Sequence, residues 1–239
     1  MAQHGSRRQE LADNLAAVRQ RIRQAEEAAG RPAGSVTLLP VTKFHPVADV
    51  AVLGQLGVRQ VAENREQEAR AKAAELPDMG FVMIGQVQTK KANSVARWAQ
   101  AVHSVDSVKL AAALDRGVQR AWADGQRAQG AILDCFVQVS ADGDPARGGA
   151  TTGDVEAVAQ AILAAEGLAL RGLMCVPPLG AQPEVVFSEL RQRIDALSLT
   201  LGTPLQMSAG MTADLDEAIA AGTDIVRVGT AIMGPRPIA

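Results

Sequence analysis

The stretch Leu38 to Pro46, LLPVTKFHP, runs an apolar segment straight into a lysine. Of the five lysines, Lys72 and Lys109 fall in polar helical segments and Lys90 and Lys91 open another helix, which leaves Lys43 directly behind an apolar run. Partial desolvation at a strand end disfavours the ammonium and lowers its pKa, exposing an amine able to condense with a carbonyl. The same position also suits a salt bridge to a carboxylate, and position alone leaves both readings open.

The other end of the chain bears on that choice. The segments MSAGMTADLDEAI and RVGTAIMG offer hydroxyls at Ser208 and Thr230, and close backbone approach at Gly210 and Gly229. That combination suits a phosphate held through amides and hydroxyls, with no lysine after Lys109, although glycine at a strand end also serves simply as a turn. Arg227 sits inside an apolar run, where a guanidinium keeps its proton and must find acceptors. Facing a pyridine nitrogen, it would keep that nitrogen unprotonated and restrain carbanion chemistry.

These residues need elements to position them. Leu11, Leu15, Val18 and Ile22 recur at three- and four-residue steps, which predicts an amphipathic helix over 7–29, ended by Gly30 and Pro32. Eight short apolar runs follow, beginning near Val36, Val61, Phe81, Ala101, Ile132, Leu168, Pro204 and Asp224, separated by alanine-rich helical segments. This alternation predicts a single (β/α)8 TIM barrel over residues 1–239, with residues 1–30 forming an extra N-terminal helix packed on it. A doubly wound sheet would put a glycine-rich turn after the first strand, where Lys43-Phe44-His45-Pro46 stands instead. In a barrel, functional side chains project from the C-terminal ends of the strands, so Lys43 and both C-terminal segments share one rim. The glycine-rich segment from Ser140 to Asp154 follows the fifth strand and belongs to the same rim, or is a plain mobile loop.

Formal net charge is −2 with cations dispersed along the chain, so no nucleic-acid partner and no membrane surface is indicated. The N-terminus has no apolar leader and no window approaches a membrane span, which makes the cytoplasm the expected compartment. Cys135 and Cys175 lie in apolar runs and read as buried thiols; no metal is expected.

Together with VAENREQEA, IGQVQTKK, VHSVDSVKLAAAL and LRGLMCVPP, the lysine motif and the terminal VRVGTAIMG resemble the pyridoxal phosphate homeostasis protein family over almost the whole chain. The resemblance implies an alanine-racemase-type barrel holding pyridoxal 5'-phosphate as an internal aldimine on Lys43. Ser208, Gly229 and Thr230 would hold the phosphate, Arg227 would face the ring nitrogen, and Asn64 would lie beside the cofactor. It further implies a non-catalytic role in cofactor buffering or delivery; a monomer is expected, with pyridoxal-phosphate-dependent apoenzymes as candidate partners. Three positions depart from the family's pattern, Ala209, Gln86 and Lys90, and bear on local pocket shape.

Two other readings stand beside this one: a pyridoxal-phosphate-dependent amino-acid racemase of low activity, and a lysine Schiff-base aldolase acting on a phosphorylated sugar. A racemase needs an acid/base group across the ring from the lysine, and the chain has no tyrosine. The histidines are His4 near the terminus, His45 beside Lys43, and His103 at the fourth strand, a candidate for proton transfer or for a hydrogen-bonded role. Asn64 could also cap the following helix, and Met207, Met211 and Met233 read as packing.

Overall fold

The computed structural model describes residues 2–144 and 147–235, with side chains from Ser6 onward, so the side chain of His4 lies outside the described residues. Helix α1 (Ala2–Ala28) precedes an alternation of β1 (Thr37–Pro40), α2 (Val47–Gln55), β2 (Gln60–Glu63), α3 (Glu66–Glu75), β3 (Gly80–Met83) and α4 (Ala92–Trp98). It continues with β4 (Ala99–Val105), α5 (Val108–Ala123), β5 (Leu133–Gln138), α6 (Val155–Leu163), β6 (Leu168–Met174) and α7 (Pro183–Leu201). β7 (Gln206–Ser208), α8 (Leu215–Ala220), β8 (Ile225–Val228) and α9 (Thr230–Met233) complete it. The strands pair in parallel in the order β1-β8-β7-β6-β5-β4-β3-β2. The ring closes beyond β1, where Val41 pairs with Ala62 and the Thr42 N–H donates to the Ala62 carbonyl at 3.0 Å. Each of the eight expected strands is present, with ends shifted by a residue or two at β4 and β7.

Strand periodicity divides the apolar residues between two sides of the wall. Leu39, Val41, Ala62, Val82 and Ala101 form a cluster of their own, while Val61, Phe81, Val226 and Val228 belong to the cluster that packs against α1. There Leu11, Leu15, Val18 and Ile22 are all buried, each contributing roughly 1.5–3 kcal/mol of apolar burial. Polar ties fix the helix: Arg7 bonds Asp49 at 2.7 Å, and Asn14 donates to the Ile232 carbonyl at 3.0 Å. Burial alone would raise the Glu26 pKa, but amide hydrogen bonds from Gly34 and Val36 outweigh it and hold the carboxyl below its ordinary value. The chain leaves α1 through Gly30 at φ +66°, a left-handed conformation that glycine adopts without steric cost.

Candidate functional site

At the C-terminal ends of the strands lies a cavity of about 420 Å³, lined by Lys43, Asn64, Arg227, Gly229 and Thr230 among others. Five of the six residues singled out from the sequence therefore come together. The sixth, Ser208, does not line it: it is fully buried, and its Oγ accepts from Arg227 Nη1 at 2.8 Å and lies 3.0 Å from His103 Nδ1.

Lys43 occupies a short loop whose shape comes from its neighbours. Phe44 has φ +69°, left-handed for a bulky residue, at a cost of about 1–2 kcal/mol. Lys72 Nζ donates to the Thr42 carbonyl at 2.9 Å, to Glu63 Oε1 at 2.6 Å and to Glu68 Oε1 at 2.7 Å. Glu68 Oε1 in turn accepts the Phe44 N–H at 2.6 Å, and Thr42 Oγ1 donates to Glu63 at 2.6 Å. Burial pushes the Glu63 carboxyl above its ordinary pKa against the opposing pull of Lys72 and Thr42. Lys72 lies in the polar helical segment expected of it, α3, but is only 5% exposed, turned inward by the two carboxylates.

Arg227, 3% exposed, places Nη2 2.8 Å from the Cys175 carbonyl in addition to its bond to Ser208. Burial lowers its pKa, with Cys175 and Asp214 opposing. Both hydrogen-bond acceptors are neutral, and a guanidinium carries five N–H donors, so capacity remains for a further acceptor in the cavity that it lines. Burial also raises the Cys175 thiol to about 12, in keeping with an inert thiol.

Asn64 is not a helix cap: Arg65 holds the N-cap position of α3, and the Asn64 side chain is free to face the cavity. Its backbone is set by Gly85, where a Cβ would stand 2.0 Å from the Asn64 carbonyl oxygen. Gly210, at φ +95°, allows the loop after β7 to turn tightly; a Cβ there would meet Ala218 at 2.6 Å. That turn brings Thr212 and Met211 to the cavity wall, two residues that sequence reading had passed over or taken as packing. Met207 and Met233 are buried, as expected of packing residues. Ser140 and Gly148, from the loop after β5, line an adjoining cavity of about 270 Å³ that shares Asn64 and Met174 with the first, while Pro145 and Ala146 lie outside the described residues. Of the three departures, Gln86 lines that adjoining cavity, Ala209 is buried away from both, and Lys90 is exposed ahead of α4.

A closed parallel barrel with a lysine, a buried arginine and a glycine-threonine turn on one rim defines the alanine-racemase class of barrel, and the family model for the alanine racemase N-terminal domain matches residues 14–237. Within that class the chain belongs to the pyridoxal phosphate homeostasis protein family. It is 57% identical to the Corynebacterium glutamicum member over 209 residues, covering 87% of this chain and 94% of that protein. It is 45% identical to the Mycobacterium tuberculosis member, covering 99% and 96%. Among solved structures, PipY of Synechococcus elongatus with pyridoxal phosphate bound is 31% identical with a TM-score of 0.78, covering 94% of this chain and all of that one. Alanine racemase from Corynebacterium glutamicum, 15% identical with a TM-score of 0.67, shares the fold and is covered over 62% of its length.

Proposed function

We propose that the chain binds pyridoxal 5'-phosphate through Lys43 and serves cofactor homeostasis by holding and releasing it. The reading is carried by one observation: Lys43, the buried Arg227 and the Gly229–Thr230 turn line a single cavity at the functional rim. The cofactor's parts match what these residues offer. Lys43 supplies the amine for covalent attachment. Arg227 offers unused donors to the ring nitrogen, and the first-turn amides of α9 with the hydroxyls of Thr230 and Thr212 suit a phosphate. A Cβ at Gly229 would stand 3.5 Å from Val41, ordinary contact, so protein packing does not require glycine there, and the missing side chain leaves room for close approach by a ligand. When bound, pyridoxal phosphate supplies an electrophilic carbonyl and a ring that can accept electron density. Arg227, which keeps its own proton, would limit that capacity by denying one to the ring nitrogen. We assign Ser208 to holding Arg227 rather than to the phosphate.

We further infer a single-domain, monomeric cytoplasmic protein that passes cofactor to apoenzymes without a turnover of its own. Among the described residues no helix is long and apolar enough to cross a membrane. The racemase reading would rely on His45, two residues from Lys43 and on the same wall, since His103 lies on the far side of Ser208 and does not line this cavity. Titration of the cofactor-free protein with pyridoxal phosphate tests the proposal: a saturable visible absorbance that is lost in Lys43→Ala supports it. An unchanged spectrum in that variant, or racemisation of alanine or serine that Lys43→Ala abolishes, overturns it.

A further inference from the structure

The barrel has a further cavity at its opposite end. It measures about 710 Å³ and is reached past the N-terminal strand residues Thr37, Gln60 and Gln206. Barrels of this type are normally filled by layers of bulky branched side chains, and this volume lies within the range of small-molecule sites. Here Ala101 stands at an inward position, and the apolar walls come from Leu39, Val82, Phe136 and Leu170. The entrance is polar, with the Asp134–Arg171 pair closed at 2.7 Å.

The ring of His103 lines this cavity, 2% exposed and 4.1 Å from the Phe136 ring. The direction of its hydrogen bond follows from chemistry. A guanidinium only donates, so Ser208 Oγ accepts from Arg227 and turns its own proton toward His103 Nδ1. Burial and the Arg227 charge hold the imidazole neutral, with its pKa lowered to about 3, so Nδ1 accepts and Nε2 carries the hydrogen. Among the described residues that Nε2–H has no hydrogen-bond partner. A donor is thus presented to a cavity whose inner wall is apolar and whose entrance carries Asp134, Arg171 and Asp224.

We propose that this lower cavity is a second ligand site, for a small apolar-bodied molecule that offers a neutral carbonyl acceptor to His103 Nε2–H, and that its occupancy is relayed through Ser208 to Arg227. An acceptor on Nε2 makes Nδ1 a stronger acceptor, which polarises the Ser208 hydroxyl and strengthens its bond from Arg227. The site itself is independent of the proposed function; only the relay's readout in the cofactor spectrum rests on it.

Benzamide is a suitable probe, with toluene as a body of like shape lacking the acceptor. In NMR of the full chain, with and without pyridoxal phosphate, benzamide should give saturable NOEs to Leu39 and Val82 methyls and shift the His103 ring nitrogens. Toluene should leave those nitrogens in place. Ala101→Leu, filling the cavity, should weaken benzamide roughly tenfold or more, a loss of about 1.4 kcal/mol; should that variant fail to fold, the wild-type NOEs decide. Absence of those NOEs, or contacts only elsewhere on the surface, overturns the site. NOEs without any change in the bound-cofactor spectrum overturn the relay. A chain that binds benzamide here but takes up no pyridoxal phosphate contradicts the proposed function and leaves the site standing.

Discussion

Lys72 Nζ donates to the Thr42 carbonyl at 2.9 Å, while Glu68, one helical turn earlier on α3, accepts the Phe44 N–H at 2.6 Å. The peptide groups on both sides of Lys43 are therefore tied to one helix. Long flexible side chains lose attack geometry when their backbone wanders, and errors near 1 Å are costly. The tie restrains the one amine on which the proposed function depends.

Replacing Lys72 with methionine removes the cation from between two carboxylates and leaves Glu63 buried without its partner. Breaking such a pair costs roughly 3–5 kcal/mol, read as a lowered denaturant midpoint. Cofactor release should also accelerate, because the Thr42 carbonyl loses its side-chain donor and keeps the His45 N–H at 3.1 Å. Lys72→Met with full stability and an unchanged release rate would deny the tie any role.

The left-handed backbone at Phe44 can be tested separately. Phe44→Val forces a β-branched residue into that region and should destabilise the protein by at least about 1–2 kcal/mol while weakening cofactor retention. Phe44→Gly removes the backbone penalty at the expense of the Arg65 cation–π contact, 5.0 Å from the ring centroid, and should stay closer to wild type in thermal unfolding. If the two variants behave alike, backbone strain there is not what shapes the loop.

Much of this was legible in the sequence, for physical reasons. The eight strands were readable because parallel barrel strands are covered on both sides, so each appears as a short apolar run, and α1 was readable from its helical spacing. Lys43, Asn64, Arg227, Gly229 and Thr230 were placed on one rim by strand ends. Ser208 and Thr212 were not separable, since both are hydroxyls around the end of β7 and only the turn at Gly210 decides which faces inward to Arg227 and which faces the cavity. The burial of Lys72 was not legible because its partners Glu63 and Thr42 lie on other elements, and a residue flanked by arginine and alanines on a helix carries no mark of burial. The lower cavity left no local signal at all, being lined by residues from separate strands.

Stability should rise with pH on account of His103. Its folded pKa is lowered from 6.5 to about 3, so between those values the unfolded chain binds a proton that the folded chain does not, and stability falls as the solution is acidified through that window. Each unit of difference is about 1.4 kcal/mol. His103→Gln keeps an acceptor for Ser208 and removes the titration, so its urea midpoint should fall less than that of wild type between pH 7 and pH 4.5. Equal losses would show that His103 is not the group responsible.

Hydroxyl deletions distinguish the phosphate site from the arginine's support. Thr230→Ala and Thr212→Ala should each weaken pyridoxal phosphate more than they weaken pyridoxal, which lacks the phosphate, by about 0.5–1.5 kcal/mol per lost hydrogen bond. Ser208→Ala should weaken both vitamers alike and shift the spectrum of the bound cofactor, since it frees Arg227 on one side. A phosphate-selective loss in Ser208→Ala, with none in the threonine variants, would return Ser208 to the phosphate site.

The central claim is that Lys43 is the residue that takes the cofactor. Borohydride reduction of the loaded protein, followed by proteolysis and mass mapping, locates the reduced adduct directly. We predict a single pyridoxyl-modified peptide carrying Lys43, absent in Lys43→Ala; an adduct on Lys72, Lys90, Lys91 or Lys109 with Lys43 unmodified would contradict the account.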